Sequence, residues 1–159
     1  LADATERGDA EGVAHAIEKG ANPNTPTPES EGGLAPMIIA VLKGHMHIVK
    51  LFIKNGVDVK SAVHPETGAS ALHEACETGQ VAMAKLLLAA GASVDSTDGR
   101  GLTPLQVAAG GQESKSGEVV RELIASGASL DVVEEKTGNT ILHTAAFSGL
   151  PDVVERLLR

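Results

Sequence analysis

The chain contains no tryptophan and no tyrosine, and its phenylalanines are only Phe52 and Phe147. Ala, Leu, Val and Ile must therefore fill the interior, which suits helices stacked closely on small side chains better than the bulky core of a large enzyme. Cysteine is nearly missing too. Cys76 stands alone, so no internal disulfide can form, and an intracellular setting, cytoplasm or nucleus, is expected. No apolar run approaches the roughly 18 residues of a membrane-crossing helix, and the N-terminus lacks the basic-then-apolar pattern of a secretion signal. Positive charge is in deficit, with 13 Lys and Arg against 21 Asp and Glu and a formal net charge of −8. Such a chain repels phosphate and its basic residues do not cluster, so neither nucleic acid nor an anionic membrane is expected as a partner.

What is present is a period. Apolar residues make up 42% of the 159 positions, enough for one domain, and the 18 glycines fall at recurring places. Gly followed by a small residue recurs at Gly20-Ala21, Gly56-Val57, Gly91-Ala92 and Gly127-Ala128, with separations of 36, 35 and 36 residues. A second marker, a Leu-like residue with Ala three positions later, keeps step: Leu1/Ala4, Met37/Ala40, Leu72/Ala75, Leu105/Ala108 and Leu142/Ala145. Two independent markers in step across the chain define an internal repeat.

Each unit reads the same way. A Gly-rich turn leads into a short helix opened by Thr or Ser, as in Gly101-Leu102-Thr103-Pro104-Leu105. The Thr103 hydroxyl can cap the orphan amides, and Pro104 suits the first helical position, where no donor is needed. Ser70 and Thr140 can cap likewise. Ala35 cannot, so the first helix of the second unit is expected to be the poorly capped one. The second helix carries an apolar stripe: Val49/Phe52/Ile53, Ala84/Leu87/Leu88, Val120/Leu123/Ile124 and Val154/Leu157/Leu158. In the first three units of that series a Gly three residues on can take the left-handed conformation that ends a helix. Neither helix buries its stripe alone, so neighbouring units must complete the core.

These residues carry a resemblance. Gly101 to Ala109 is similar to the helix-opening motif of the ankyrin repeat family, with Gln106 where the family prefers His. Lys43-Gly44-His45-Met46-His47-Ile48-Val49 resembles its turn into the second helix, and Gly91-Ala92-Ser93-Val94-Asp95 the start of its hairpin. The likeness covers the whole of 1–159 as a single domain, in units at about 1–24, 25–60, 61–95, 96–131 and 132–159. The first and last units read as incomplete, so the chain is expected to be a piece of a longer stack. The resemblance implies an all-α solenoid of helix–turn–helix units with protruding β-hairpin loops. It further implies a non-catalytic, cofactor-free scaffold for protein–protein interaction, monomeric, or else a regulatory module of a larger enzyme or channel. The negative charge favours a protein partner with a basic or mixed surface.

In the family, partners are held by finger tips and by the groove along the first helices. Carried onto this chain, the positions after the turn Gly are Leu34, Ala69, Leu102 and Asn139. The helix-end positions are Leu42, Lys43, Glu77, Thr78, Gly110, Gly111, Phe147 and Ser148, with Arg100 at a finger tip. Leu34, Leu42, Leu102 and Phe147 are large apolar residues at places that should face solvent, either for a partner or for packing between fingers. Measured from Asn24, Lys60, Asp95 and Asp131 to the Gly that follows each finger, the finger before Gly101 is the shortest. Those before Gly33, Gly68 and Gly138 are longer, and the fourth unit carries an insertion around Gln112 to Gly117. Thr25-Pro26 and Thr27-Pro28 are candidate sites for a proline-directed kinase. Asn24 resembles the hairpin Asn that is hydroxylated in some ankyrin proteins.

Other chemistry fails on spacing. His45-Met46-His47 and His73 with Cys76 supply too few convergent ligands for zinc. His73 and His143 instead fall where the family places a structural histidine bonded to nearby backbone. Gly110 to Ser116 lacks the Gly before Lys115 that a phosphate loop requires, and Gly99-Arg100-Gly101 lacks a third Gly for a dinucleotide site. Cys76 matches Val41, Ala109 and Ala146 of the other units and reads as buried and inert.

Overall fold

The computed structural model describes residues 1–28, 32–110, 116–134 and 137–158. Within them lie α1 (Ala2–Arg7), α2 (Ala10–Glu18), α3 (Pro36–Leu42), α4 (Met46–Lys54), α5 (Ala71–Glu77), α6 (Val81–Ala89), α7 (Pro104–Gly110), α8 (Ser116–Ala125), α9 (Ile141–Phe147) and α10 (Pro151–Leu157). The odd-numbered helices contact one another in succession and each packs on the even-numbered helix that follows it. In the second row α2 meets α4, α6 meets α8 and α8 meets α10. The class is all-α, a solenoid of helix–turn–helix units.

Local chemistry explains the helix starts. Ser70 Oγ accepts from the His73 amide at 3.4 Å, while the Ser70 amide donates to His73 Nδ1 at 3.1 Å. Gln106 plays the histidine part in the next unit, its Oε1 accepting from the Thr103 amide at 3.0 Å and from the Thr103 hydroxyl at 3.3 Å. In the last unit the Thr140 amide donates to His143 Nδ1 at 3.2 Å. These are reciprocal capping arrangements. Ala35 makes no such bond, and α3 relies on Pro36 at its first position. At the other ends, Gly56 and Gly91 sit at φ 76° and 92°, left-handed values that a side chain resists, and so terminate α4 and α6.

The fingers between units are closed by one repeated backbone bond. It runs from Thr27 N to Leu34 O, from His64 N to Ala69 O, from Asp98 N to Leu102 O and from Glu134 N to Asn139 O, at 2.8–2.9 Å. Two fingers also show a bridge, Val63 with Ser70 and Val133 with Thr140. These closures refine the finger lengths. The first hairpin is longer than the Asp98 hairpin by three residues, as the sequence implies. The second gains only one inside its closure, its other extra residue lying in the turn where Ser61 N donates to Asp58 O at 3.2 Å. The insertion around Gln112 and the stretch Glu29–Glu31 lie outside the described residues.

One continuous apolar cluster runs from Val13 through Phe52, Leu72, Leu87, Leu105 and Leu123 to Val153. Burying Phe52 completely stabilises the fold by roughly 2–3 kcal/mol relative to leaving it exposed. In α4, α6 and α8 the first two members of each stripe are fully buried and the third half-buried, whereas Leu158 of the last stripe is 69% exposed. Polar bonds lock each unit to its neighbour. Gln80 Nε2 donates to Val41 O at 2.9 Å, and the Ser129 amide donates to Asp95 Oδ1 at 2.9 Å. His45 and His47, the pair with a metal-like look, instead spend their Nε2 donors on the Glu6 and Gly8 carbonyls at 3.1 Å.

Candidate functional site

Stacking the units leaves three cavities on the side where fingers meet the odd-numbered helices. The first, about 520 Å³, is lined by Glu6, Thr27, Leu34, Leu42 and Lys43. The middle one, about 420 Å³, lies among Glu66, Ala69, Glu74, Glu77 and Arg100. The last, about 340 Å³, is bounded by Leu102, Gln106, Glu134, Asn139, His143 and Phe147. Leu34, Leu42 and Lys43 are thus brought together, as are Ala69, Glu77 and Arg100, and Leu102, Asn139 and Phe147. Thr78 lies apart; its hydroxyl donates to Glu74 O at 2.7 Å and accepts from Gln80 Nε2 at 2.8 Å. Gly111 is outside the described residues.

Exposure corrects part of the expectation. Phe147 is 94% exposed and Leu42 37% exposed, both open to solvent as their places imply. Leu34 and Leu102 are half-buried and pack against the core, and Ala69 is buried. Hairpin closure is the reason. The residue after the turn Gly pairs back across its finger, which turns the side chain partly toward the neighbouring helix.

Electrostatics differ along the row. In the first cavity Lys43 Nζ approaches Glu6 Oε1 at 3.1 Å, an exposed pair of the kind that contributes at most about 1 kcal/mol. In the finger beside the middle cavity, Asp98 Oδ1 accepts from the amides of Arg100 and Leu102 at 2.8 and 2.9 Å, and Oδ2 meets Arg100 Nε at 2.9 Å. Burial by itself would raise that carboxyl, but these amides and the guanidinium outweigh it and hold Asp98 below the usual carboxylate range. Burial lowers His73, against the opposing pull of its bond from Nε2 to the Leu102 carbonyl at 2.9 Å. Burial raises Glu74, with Glu77 adding repulsion and His64 and Arg100 opposing. The Cys76 thiol, fully buried, is pushed far above its usual range, which fits an inert core position.

Glu74 and Asp98 are absent from the motif-based set. In the repeat register Glu74 aligns with Asp3, Ile39, Val107 and Thr144, so the sequence shows a carboxylate at this position without showing that it is enclosed. Among the described residues no group of three His, Cys, Asp or Glu could hold a metal ion, and no helix is long and apolar enough to cross a membrane.

Two rows of short helices joined by hairpins and capped by repeated Ser/Thr–His/Gln pairs define an α-solenoid of the ankyrin type. A family model described as Ankyrin repeats (3 copies) matches residues 1–98 and again 90–159. The chain therefore belongs to the ankyrin repeat family, whose repeats are protein-interaction modules that bind protein partners and are in general non-catalytic. The chain is similar to the ankyrin repeat and KH domain-containing protein mask-1 of Caenorhabditis elegans, 29% identical over 75% of this chain and 4% of that one. It is also similar to human ankyrin repeat and SOCS box protein 16, 31% identical over 73% of this chain and 24% of that protein. A third relative is the transient receptor potential cation channel subfamily A member 1 homolog of C. elegans, 29% identical over 75% of this chain and 12% of the channel. The chain thus spans a quarter or less of the length of these relatives.

Proposed function

We propose that this chain is a non-catalytic scaffold that holds a protein partner against its fingers and odd-numbered helices. The observation that carries this reading is the row of three cavities between successive units, which gathers Leu42, Lys43, Glu77, Arg100, Asn139 and Phe147 on one side. The solvated Phe147 ring is the kind of anchor that supplies the centre of an interface. A groove preformed by the solenoid loses little ordering entropy on binding, so modest contacts suffice. The net charge of −8 speeds encounter with a partner of basic or mixed surface. A lone, buried Cys76 is compatible with the cytoplasm or nucleus.

The test is affinity capture from the source cell with the parent chain, Leu42→Asp and Phe147→Asp, after circular dichroism has shown each variant folded. Both side chains are exposed, so the fold tolerates the change. Loss of a captured protein by both variants is the expected result, and unchanged capture by both overturns the assignment.

A second reading is favoured by the small share of each relative that the chain spans, one of them a channel. In it the stack is a regulatory module whose activity lies in flanking sequence. Sequencing the surrounding reading frame decides it, since a catalytic or membrane-crossing neighbour is required.

A further inference from the structure

Glu74 on α5 is 6% exposed, yet among the described residues no hydrogen bond or ion pair reaches its carboxylate. It lines the middle cavity of about 420 Å³, where Glu66 from the finger and Glu77 from the same helix also stand. A cation is present at the rim, but it is committed. Arg100 Nε is held at 2.9 Å by Asp98 Oδ2, on a side chain only 1% exposed. The lining therefore presents three carboxylates beside Arg100, which is committed to Asp98, and His64, whose Nδ1 accepts from the Glu66 amide at 3.3 Å. Enclosing a carboxylate without donors is unfavourable, because its lost hydration is not replaced. Burial accordingly raises the Glu74 carboxyl against the opposing charges of His64 and Arg100, and Glu77 adds repulsion.

Nothing in the repeat requires that cost. The same register holds Ile39, Val107 and Thr144 in the second, fourth and fifth units, and Asp3 of the first is exposed and paired with Arg7 at 3.0 Å, so Glu74 is the enclosed carboxylate of the series. A carboxylate that is closed off from water, undonated and open to a cavity is poised for a cationic donor from outside. The carboxylates approach from two directions, with Glu74 and Glu77 one helical turn apart and Glu66 on the finger. That arrangement matches the five-donor fork of a guanidinium better than the compact ammonium of lysine.

We propose that the middle cavity is a receptor for an arginine side chain of the bound protein, with Glu74 at its floor and Glu66 and Glu77 at its rim. The proposal rests on the reading of this face as a protein-binding surface and names what that surface selects. The arginine donates to Glu74 and displaces the water at the mouth, while Arg100 stays on Asp98 and shapes the wall. No covalent step is involved.

The probes are the capped tripeptide acetyl-Ala-Arg-Ala-amide and its citrulline and lysine counterparts, titrated onto the whole chain and followed by backbone-amide NMR. Expected are saturable shifts at Ala69, Glu74, Glu77 and Gly99 with the arginine peptide. Affinity should be at least several-fold weaker with lysine and undetectable with citrulline, which keeps the shape and lacks the charge. Glu74→Gln should weaken arginine binding at least five-fold without lowering the thermal midpoint. Glu77→Gln, at the exposed rim, is the companion variant should Glu74→Gln fold poorly, and it should weaken binding less. Equal affinity for lysine or citrulline, parent-like binding by both variants, or shifts spread evenly over all acidic surfaces would overturn the proposal. The titration uses no protein partner. Parent-like binding of the arginine peptide alongside unchanged capture by Phe147→Asp would therefore sink the groove reading and leave the pocket standing.

Discussion

His73 Nε2 donates to the main-chain carbonyl of Leu102 at 2.9 Å while Nδ1 of the same ring accepts from the Ser70 amide at 3.1 Å. One imidazole thus closes the cap of its own helix and fastens the finger of the next unit. Its tautomer is set by the amide on one side and the carbonyl on the other.

Removing that ring should be costly. His73→Ala leaves the Ser70 amide and the Leu102 carbonyl without partners and opens a void, for a loss of about 2–4 kcal/mol. His73→Gln should restore the cap, because Gln106 already does so for Thr103 at 3.0 Å in the neighbouring unit. It forfeits the bond to Leu102, so about 1 kcal/mol should remain lost. Urea unfolding midpoints of the three proteins check the order.

Acid should weaken the fold through the same ring. Burial places the folded His73 below its ordinary 6.5, so the unfolded chain takes up the proton first. Its stabilising contribution is complete above 6.5 and declines as pH falls below that value toward the folded pKa. Asp98, held below its ordinary 3.8, adds a second loss beginning near that value and completed below its folded pKa. Glu74 has the opposite sign. Its raised carboxyl makes the fold gain stability as pH falls through the folded pKa toward 4.5. In denaturant midpoints measured against pH, His73→Gln should flatten the decline just below 6.5, and Glu74→Gln should steepen the decline at lower pH. A parallel set of three curves would contradict this assignment.

Two fingers meet directly through their main chains. The Gly99 amide donates to Thr67 O at 2.7 Å, and a Cβ on Gly99 would stand 2.8 Å from that same oxygen. Main chain cannot step aside as a flexible side chain can. Gly99→Ala should lower stability by about 1–3 kcal/mol and detach the two fingers. Loss of amide-exchange protection at Gly99 in NMR would report the detachment, and the thermal midpoint would report the cost.

The uncapped start of α3 offers a gain. Ala35 has extended dihedrals, φ −64° and ψ 141°, compatible with a capping side chain. Ala35→Ser should supply the missing acceptor and raise stability by about 0.5–1 kcal/mol, read as a higher urea midpoint with an unchanged slope.

Much of this architecture was legible in the order of residues because its causes are local. Ser70, Thr103 and Thr140 announce helix starts through hydroxyls that reach amides one turn away. Gly56 and Gly91 announce ends through a conformation other residues avoid. The expected interface positions followed from the same register, yet the half-burial of Leu34 and Leu102 did not, since it depends on how each hairpin closes against the adjacent helix. The three-residue excess of the first finger was visible as a gap in spacing. The split of the second finger's excess was not, because spacing cannot say which residues pair.

By itself the sequence determined the period, the helix faces and the caps, all set by interactions within a few residues of one another. Tertiary structure alone decided which polar groups are enclosed and which neighbours they meet. The partners of His73, Gln80 and Ser129 lie 29 to 39 residues away. Stacking brings such groups into contact and excludes water between them. It also enclosed Glu74 in a cavity where, among the described residues, no hydrogen bond or ion pair reaches its carboxylate.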